Sequence, residues 1–267
     1  MRRFLKFFAR LSALLLGLSL CISPLRGFAA YNFEYERAVG NPLKGFMPFY
    51  SPDGADDSVP YSMEWFYIPL SALISDSGEY TVREGLEPYL EAISARGNQA
   101  VFRVYLDYPG SDIGEKAVPR FIWDMGIKKE RYDEYGGGFC PDYSDGRLID
   151  ILCDFVRELA REYDGDSRIA YITTGLLGHW GEWHVCLPEL EATNEQKAKI
   201  ISAFAQSFKV TRILTRYPGT PGTTRKGNVG FHDDSFTHST LYDESWHFMA
   251  KMLSLIHISE PTRPISI

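Results

Sequence analysis

The residues with the clearest chemical potential lie in one stretch, GLLGHWGEWH, at positions 175–184. The stretch follows an apolar run, 169–174, that is typical of a buried strand. Glycosidic cleavage needs a carboxylic acid kept protonated near neutral pH, and apolar rings favour the uncharged form of a carboxyl group. Trp180 and Trp183 flank Glu182 closely enough to supply such rings, and indole faces also stack on sugars. We therefore predict that Glu182 is a general acid/base acting on carbohydrate.

Two other interpretations of this stretch stay open. Tryptophan and histidine at a strand end can simply pack the loops, with Glu182 paired to Arg103 or Arg216. Residue types that bind metals also lie close together here, namely His179, Glu182 and His184, with His232 and Asp233 further along. Their spacing differs from the helical HExxH pattern, so we predict neither a metal nor a cofactor.

The elements that position these residues alternate between strand and helix patterns. Strands are predicted at residues 45–50, 65–70, 100–106, 169–174, 212–217 and 228–232. Helical spacing of apolar residues predicts helices at 84–96 and 148–163, and a last helix opens near Ser245. Another helix begins at a capping box, Thr193 to Gln196. Residues 108–145, rich in Gly, Pro and aromatic residues, are long enough to indicate a functional loop.

Six strands in strand-then-helix order predict an α/β fold with a parallel sheet covered by helices. No glycine-rich nucleotide-binding motif follows a predicted strand, which argues against a doubly wound nucleotide-binding fold. We predict a (β/α)8 barrel of the TIM type at residues 30–252, truncated after about six β/α units. The active sites of such barrels lie where the strands end.

Polar and aromatic residues collect at these predicted strand ends. Besides Glu182, the candidates for binding the substrate are Trp180, Trp183, His179, His184, Arg103, Asp107, Arg216, Asp233 and Asp234. Adjacent residues on an extended chain point in opposite directions, so only one of the two neighbouring aspartates is expected to face the centre.

Both ends of the chain are predicted to lie outside the fold. Residues 1–29 have the basic start, apolar stretch and small residues before the cleavage point of a signal peptide. Residues 253–263 resemble a translated sequencing adapter, so we interpret residues 253–267 as an artefact. We therefore expect a secreted or periplasmic protein that has no membrane partner after cleavage of the signal.

Composition narrows the range of partners. The predicted signal carries five basic and no acidic residues, and the adapter-like end carries one of each, so removing both changes the net charge from −7 to −12. A chain this acidic is a poor candidate for binding nucleic acid or an anionic membrane. Of the remaining cysteines, Cys140 and Cys186 fall in predicted loops and could pair in an oxidising compartment.

Four motifs resemble secreted bacterial proteins grouped as domain-of-unknown-function family 4832, which commonly carry a partner N-terminal region. These motifs are Asn41-Pro-Leu-Lys-Gly-Phe46, Phe102-Arg-Val-Tyr105, Gly178-His-Trp-Gly-Glu-Trp-His184 and Gly230-Phe-His-Asp-Asp-Ser-Phe236. The resemblance covers essentially all of residues 31–250 and implies a barrel similar to the large retaining superfamily of glycoside hydrolases.

In that superfamily the acid/base carboxylate follows strand four and the nucleophile follows strand seven. Glu182 matches the first position, and the second would lie beyond Met252. Gly181 stands where many of these hydrolases have an asparagine. The resemblance thus implies a retaining glycoside hydrolase acting on a poly- or oligosaccharide. A carbohydrate-binding barrel without catalysis is the main alternative, and a metal-dependent hydrolase ranks third.

Overall fold

The computed structural model describes residue 43 and residues 47–55, 61–223, 227–234, 240–241 and 248–259. The predicted signal peptide, the start of the predicted last helix near Ser245 and residues 260–267 lie outside the described residues. No helix within the described ranges is both long and apolar enough to cross a membrane.

The strands of the described chain form one parallel sheet and one hairpin. They are β1 (Met63–Pro69), β2 (Gln99–Tyr105), β3 (Lys129–Tyr132), β4 (Gly138–Pro141), β5 (Ile169–Thr173), β6 (Arg212–Thr215) and β7 (Val229–Phe231). The five-stranded sheet has the order β1-β2-β5-β6-β7, and all its neighbouring strands run parallel. Strands β3 and β4 pair with each other in antiparallel fashion.

Helices lie between β1 and β2, between β2 and β5 and between β5 and β6, and one more follows β7. They are α1 (Val82–Ala95), α2 (Arg120–Asp124), α3 (Gly146–Tyr163), α4 (Asn194–Ser207) and α5 (Phe248–Ser259). Four short 3-10 helices also occur in the described residues, at Leu70–Ala72, Gly114–Ala117, Glu134–Gly136 and Pro188–Leu190. The predicted capping box is confirmed, because the Thr193 hydroxyl accepts from the backbone N–H of Gln196 and the Gln196 side chain accepts from that of Thr193.

The predicted fold class is confirmed: the chain is a mixed α/β protein with a parallel sheet. The strands of the sheet neighbour one another in the order in which they occur along the chain, as in a (β/α)8 barrel, and helices occupy three of the four connections between them in the described residues. The predicted strand at 45–50 is reduced to a bridge in the described residues. There Tyr50 N–H donates to Trp65 O (2.7 Å) and Trp65 N–H donates to Pro48 O (2.9 Å).

The two faces of the sheet pack differently, since side chains alternate along a strand. On one face Phe66, Phe102 and Ile172 join the main hydrophobic core, which includes Leu86 of α1 and Phe155 of α3. The other face carries a smaller apolar cluster, formed by Met63, Trp65, Val101 and Ala170. This smaller cluster lies on the face that also holds the fully buried guanidinium of Arg103.

The predicted functional loop at residues 108–145 is not structureless. It contains α2 and the hairpin of β3 and β4, which the sequence did not predict. The hairpin strands are only four residues long, and β3, with the sequence KERY, has no apolar alternation to reveal it. Cys140, Cys153 and Cys186 are free thiols, so the disulfide that the sequence allowed between Cys140 and Cys186 is not formed here.

Candidate functional site

The loop that follows β5 has an unusual backbone. Three of its large residues, Leu176, Trp180 and Trp183, have positive φ angles of 67°, 51° and 68°. Such conformations are costly for residues other than glycine and cluster at functional sites. Backbone hydrogen bonds hold the loop, including His179 N–H to His184 O at 2.9 Å and Trp183 N–H to Leu177 O at 2.9 Å. The loop therefore presents residues 175–184 in a fixed arrangement.

Two glycines allow this loop to lie directly on β2. A Cβ atom at Gly175 would stand 2.3 Å from Val104 O, so any side chain there would collide with the strand backbone. A Cβ atom at Gly181 would stand 3.0 Å from Cδ of Arg103, and the φ of Gly181 is 70°. The space where an asparagine would precede Glu182 is thus occupied by the Arg103 side chain.

Two arginines and a histidine surround the Glu182 carboxylate. Its Oε1 lies 3.5 Å from Nη1 of Arg103, and its Oε2 lies 3.9 Å from Nε of Arg216 and 3.5 Å from Nε2 of His184. The arginine pairing that the sequence left open is therefore present. The Glu182 side chain is still 19% exposed, so a ligand can reach it.

Arg103 joins three parts of the site although its side chain is fully buried. It donates to Asp234 Oδ2 at 2.7 Å, to Thr173 Oγ1 at 3.3 Å and to Trp180 O at 3.4 Å. Its guanidinium also lies over the Trp65 ring, 5.1 Å from the centroid. Arg103 thus connects β2 to β5, to the loop after β5 and to the end of β7.

Arg216 contacts both of the neighbouring aspartates. Its Nη1 lies 3.5 Å from Asp233 Oδ1, and its Nε lies 3.3 Å from Asp234 Oδ2. The expectation that only one aspartate faces the centre is therefore wrong. Strand β7 ends at Phe231, so the alternation of an extended strand does not apply to residues 233 and 234.

His232 and Asp234 form a close pair beside Arg103. Nδ1 of His232 lies 2.6 Å from Asp234 Oδ1, and Nη2 of Arg103 lies 3.3 Å from Nε2 of His232. Arginine can only donate, so Nε2 accepts and the ring proton is on Nδ1. Burial lowers the pKa of His232, although its bond to Asp234 acts in the opposite direction. Burial opposes ionisation of Asp234, but His232, Arg103 and Arg216 hold the pKa of its carboxyl well below the usual range.

Acid is expected to destabilise the chain through His232. Its pKa is lower in the folded chain than in the unfolded chain, so the unfolded chain binds the proton more readily. The stability contributed by the neutral ring is present above the unfolded value of about 6.5 and is lost as the pH falls below it. In urea titrations between about pH 7.5 and 5.5, wild type should lose more free energy of unfolding than His232→Gln, by at most about 1.4 kcal/mol per pH unit. The Asp234 carboxyl titrates at lower pH and does not contribute in this window.

His184→Gln is the matched control, because the His184 side chain is 39% exposed and lies in the same site. Comparing the two variants separates the loss of a buried imidazole from the loss of an exposed one. Equal slopes for wild type and His232→Gln would show that the neutral His232 ring contributes no such stability.

Asp107 and His179 stabilise the loop after β5. Nδ1 of His179 lies 2.7 Å from Asp107 Oδ2, and its Nε2 accepts the backbone N–H of Cys186 at 2.9 Å. The Tyr132 hydroxyl of β3 donates to the other Asp107 oxygen at 2.7 Å. Both Asp107 and His179 are buried, and neither lines a cavity that contains Glu182. Their contacts fix the loop to β2 and to the hairpin.

The arrangement argues against His179 as a metal ligand. Both ring nitrogens of His179 are already engaged, by Asp107 and by the Cys186 amide. Within the ranges that the structure describes, no group of three or more histidine, cysteine, aspartate or glutamate side chains could hold a metal ion.

Two cavities meet at Glu182. The inner cavity, about 400 Å³, lies against the sheet face that carries Trp65 and Val101, and Glu182, His232, Asp233 and Asp234 also line it. The outer cavity, about 520 Å³, is lined by Tyr135, Trp180, Glu182, Trp183, His184, Arg216, Tyr217 and Lys251. Both volumes are in the range of small-molecule sites, which combine apolar walls with a few polar groups.

Three residues of the outer cavity were not predicted from the sequence. Tyr135 lies in the turn of the hairpin with a φ of 57°, and its ring centroid is 5.4 Å from that of Trp180. Tyr217 follows Arg216, and its ring lies under the Arg216 guanidinium with Cζ 4.5 Å from the centroid. Lys251 belongs to α5. The glycines after Tyr135 were a signal of a turn, but they could not show which site the turn would reach.

Comparisons with known proteins find similarity in structure only. No protein-family model matches the chain and no curated protein matches it, so the resemblance to family 4832 stays a prediction. The chain is similar to endo-glycoceramidase II from Rhodococcus sp. in a complex with cellobiose-like isofagomine. That match has 13% identity and a TM-score of 0.47 and covers 72% of this chain and 56% of that chain.

Two further solved structures are similar at the same level. The complex of the same Rhodococcus sp. enzyme with a cellobiose-like imidazole has 12% identity and a TM-score of 0.45, covering 81% of this chain and 60% of that chain. Another glycoside hydrolase has 15% identity and a TM-score of 0.39, covering 76% and 57%. The chain thus spans little more than half the length of these structures. The likeness concerns the general fold and assigns no substrate and no residue role.

Proposed function

We propose that the chain is part of a secreted or periplasmic carbohydrate-active protein, a retaining glycoside hydrolase with Glu182 as its general acid/base. The observation that carries this proposal is the position of Glu182, a partly exposed carboxylate where two cavities meet. Aromatic side chains of Tyr135, Trp180 and Tyr217 line the outer cavity beside it. Flat rings next to a reachable carboxylate suit a sugar whose glycosidic bond is to be protonated.

In a retaining mechanism the acid protonates the glycosidic oxygen while a second carboxylate attacks the sugar and forms a covalent intermediate. The first residue then acts as a base and takes a proton from the water that releases the sugar. Arg103 and Arg216 would orient the Glu182 carboxyl group, which is protonated at the start of the first step and ionised at the start of the second. Asp233 and Asp234 are engaged by Arg216, and Asp234 also by Arg103 and His232. The resemblance to retaining hydrolases implies a nucleophile after strand seven, so we assign the nucleophile to a residue that follows Met252.

Two measurements test this proposal: sequencing of the gene and analysis of the reaction product. Sequencing the locus past the codon for Met252 should reveal a further strand that ends in Glu or Asp. The protein encoded by the complete reading frame is then assayed on poly- and oligosaccharides, and proton NMR follows the first product. We expect that product to keep the anomeric configuration of the substrate. A first product with inverted configuration, or a continuation without a carboxylate at that strand end, would contradict the retaining mechanism.

A carbohydrate-binding barrel without catalysis is the second candidate. It is favoured by the side chains around Glu182, since a carboxylate positioned by Arg103 and Arg216, with His184 beside it, can act as a hydrogen-bond acceptor for sugar hydroxyls. Saccharide binding that is measurable by calorimetry, with no release of reducing ends by the complete protein, would identify this function.

A further inference from the structure

We propose that the outer cavity binds a sugar that carries an anionic substituent, either the carboxylate of a uronic acid or a sulfate ester, through the ammonium group of Lys251. This inference rests on the proposed function, because it names the class of saccharide that the same site would take. It depends on the position of Lys251, on the charges around it and on the shape of the cavity.

Lys251 and Arg216 share one aromatic ring. Nζ of Lys251 lies 3.9 Å from the centroid of the Tyr217 ring, and Cζ of Arg216 lies 4.5 Å from the same centroid. Each cation is attracted by the ring. The charge of Arg216 nevertheless opposes that of Lys251. An anion bound to Lys251 would offset this repulsion.

The charges that line the outer cavity are unbalanced. Glu182 is the only carboxylate among its described lining residues, whereas Arg216 and Lys251 are both cations. Arg216 also contacts Asp233 and Asp234, but Lys251 makes no ion pair with any described residue. In a chain with a net charge of −7, a lysine that faces a cavity without a carboxylate partner is a binding group for an anion.

The titration of Lys251 agrees with this geometry. Burial lowers the pKa of its ammonium group, and the charge of Arg216 lowers it further. No carboxylate of the described residues offsets these two effects. A bound carboxylate or sulfate would supply a counter-charge and form a charge-assisted hydrogen bond to Nζ.

The walls of the cavity select a saccharide over a small inorganic anion. The volume of about 520 Å³ is much larger than a sulfate ion needs. Tyr135 and Trp180 lie with their ring centroids 5.4 Å apart on the side formed by the hairpin and the loop after β5. These rings offer flat apolar surface to a sugar, while the ammonium group of Lys251 binds its anionic substituent.

Isothermal titration calorimetry with three trisaccharides tests the inference: one of uronic acid, one sulfated and one neutral. We expect one of the two anionic ligands to bind wild type about tenfold more tightly than the neutral ligand. Lys251→Met keeps most of the side-chain length without the charge and should abolish the preference. Lys251→Arg should retain it. Lys199→Met is the matched control, because Lys199 pairs with Asp150 on the surface of α4 and should leave the preference unchanged.

The outcomes separate this inference from the proposed function. Equal affinity for the neutral and both anionic ligands, or a preference that survives in Lys251→Met, would overturn the anionic subsite while leaving a carbohydrate site in place. Absence of binding for all three ligands would count against both proposals. Whichever anionic ligand shows the preference identifies the source of the charge as carboxylate or sulfate.

Discussion

Replacing Glu182 by glutamine is expected to lower kcat of the complete protein by about 10²- to 10⁴-fold, the usual contribution of a general acid/base. Glutamine has nearly the same shape but can neither donate nor accept the proton that glycosidic cleavage requires. The measurement is the release of reducing ends under saturating substrate. Saccharide affinity should change little, because Trp180, Tyr135 and Tyr217 remain in place.

Glu189→Gln serves as the control, since Glu189 is an exposed glutamate in the segment after the same loop and lines neither cavity. It should retain the turnover of wild type. The fold should tolerate Glu182→Gln with a loss of about 1 kcal/mol or less, because the ion pairs of Glu182 are long and its side chain is partly exposed. Turnover within about threefold of wild type would remove Glu182 from the acid/base role.

Replacing Arg103 by methionine is expected to lower the free energy of unfolding by about 3–5 kcal/mol, as is typical when one partner of a buried ion pair is removed. The methionine fills much of the space but leaves Asp234 without its 2.7 Å partner. It also removes donors to Thr173 and to the backbone oxygen of Trp180. Urea denaturation of the two proteins measures the difference.

Arg157→Met gives the comparison for an arginine on the surface. Arg157 is 59% exposed and pairs with Asp154, so its loss should cost about 1 kcal/mol or less. Combining Arg103→Met with Asp234→Asn should recover part of the loss, because the side chain that loses its 2.7 Å cationic partner is then uncharged. A cost for Arg103→Met as small as that for Arg157→Met would mean that Arg103 does not hold the site together.

The order of the sheet strands and the position of Glu182 could be predicted because local patterns determine both. The apolar run before Gly175 marks β5, and the capping box at Thr193 marks the start of α4. Glu182 follows β5 within a loop of aromatic residues, so its place near the strand end follows from sequence order alone. The arginine contacts of Glu182 could be stated as an alternative, because both arginines occur at predicted strands.

The remaining features depend on contacts between distant segments. Tyr135 reaches Trp180 only because the hairpin folds back onto the loop after β5. No pattern in residues 133–138 predicts this contact. Asp107 points to His179 and Tyr132 instead of joining Glu182, because a buried carboxylate binds where donors are available. Strand β7 ends at Phe231, and in the segment after it both aspartates contact Arg216, which the alternation of a strand could not predict.

The place of Glu182 between the inner and outer cavities means that the two spaces are not independent. One carboxylate oxygen faces Arg103 and the other faces Arg216 and His184. Glu182 lines both cavities, so a ligand in the inner cavity that binds its carboxylate would alter the charge that a ligand in the outer cavity meets. By thermodynamic linkage, occupancy of the outer cavity then alters affinity in the inner cavity by the same factor. Glu182 would thereby couple ligand binding in the two cavities.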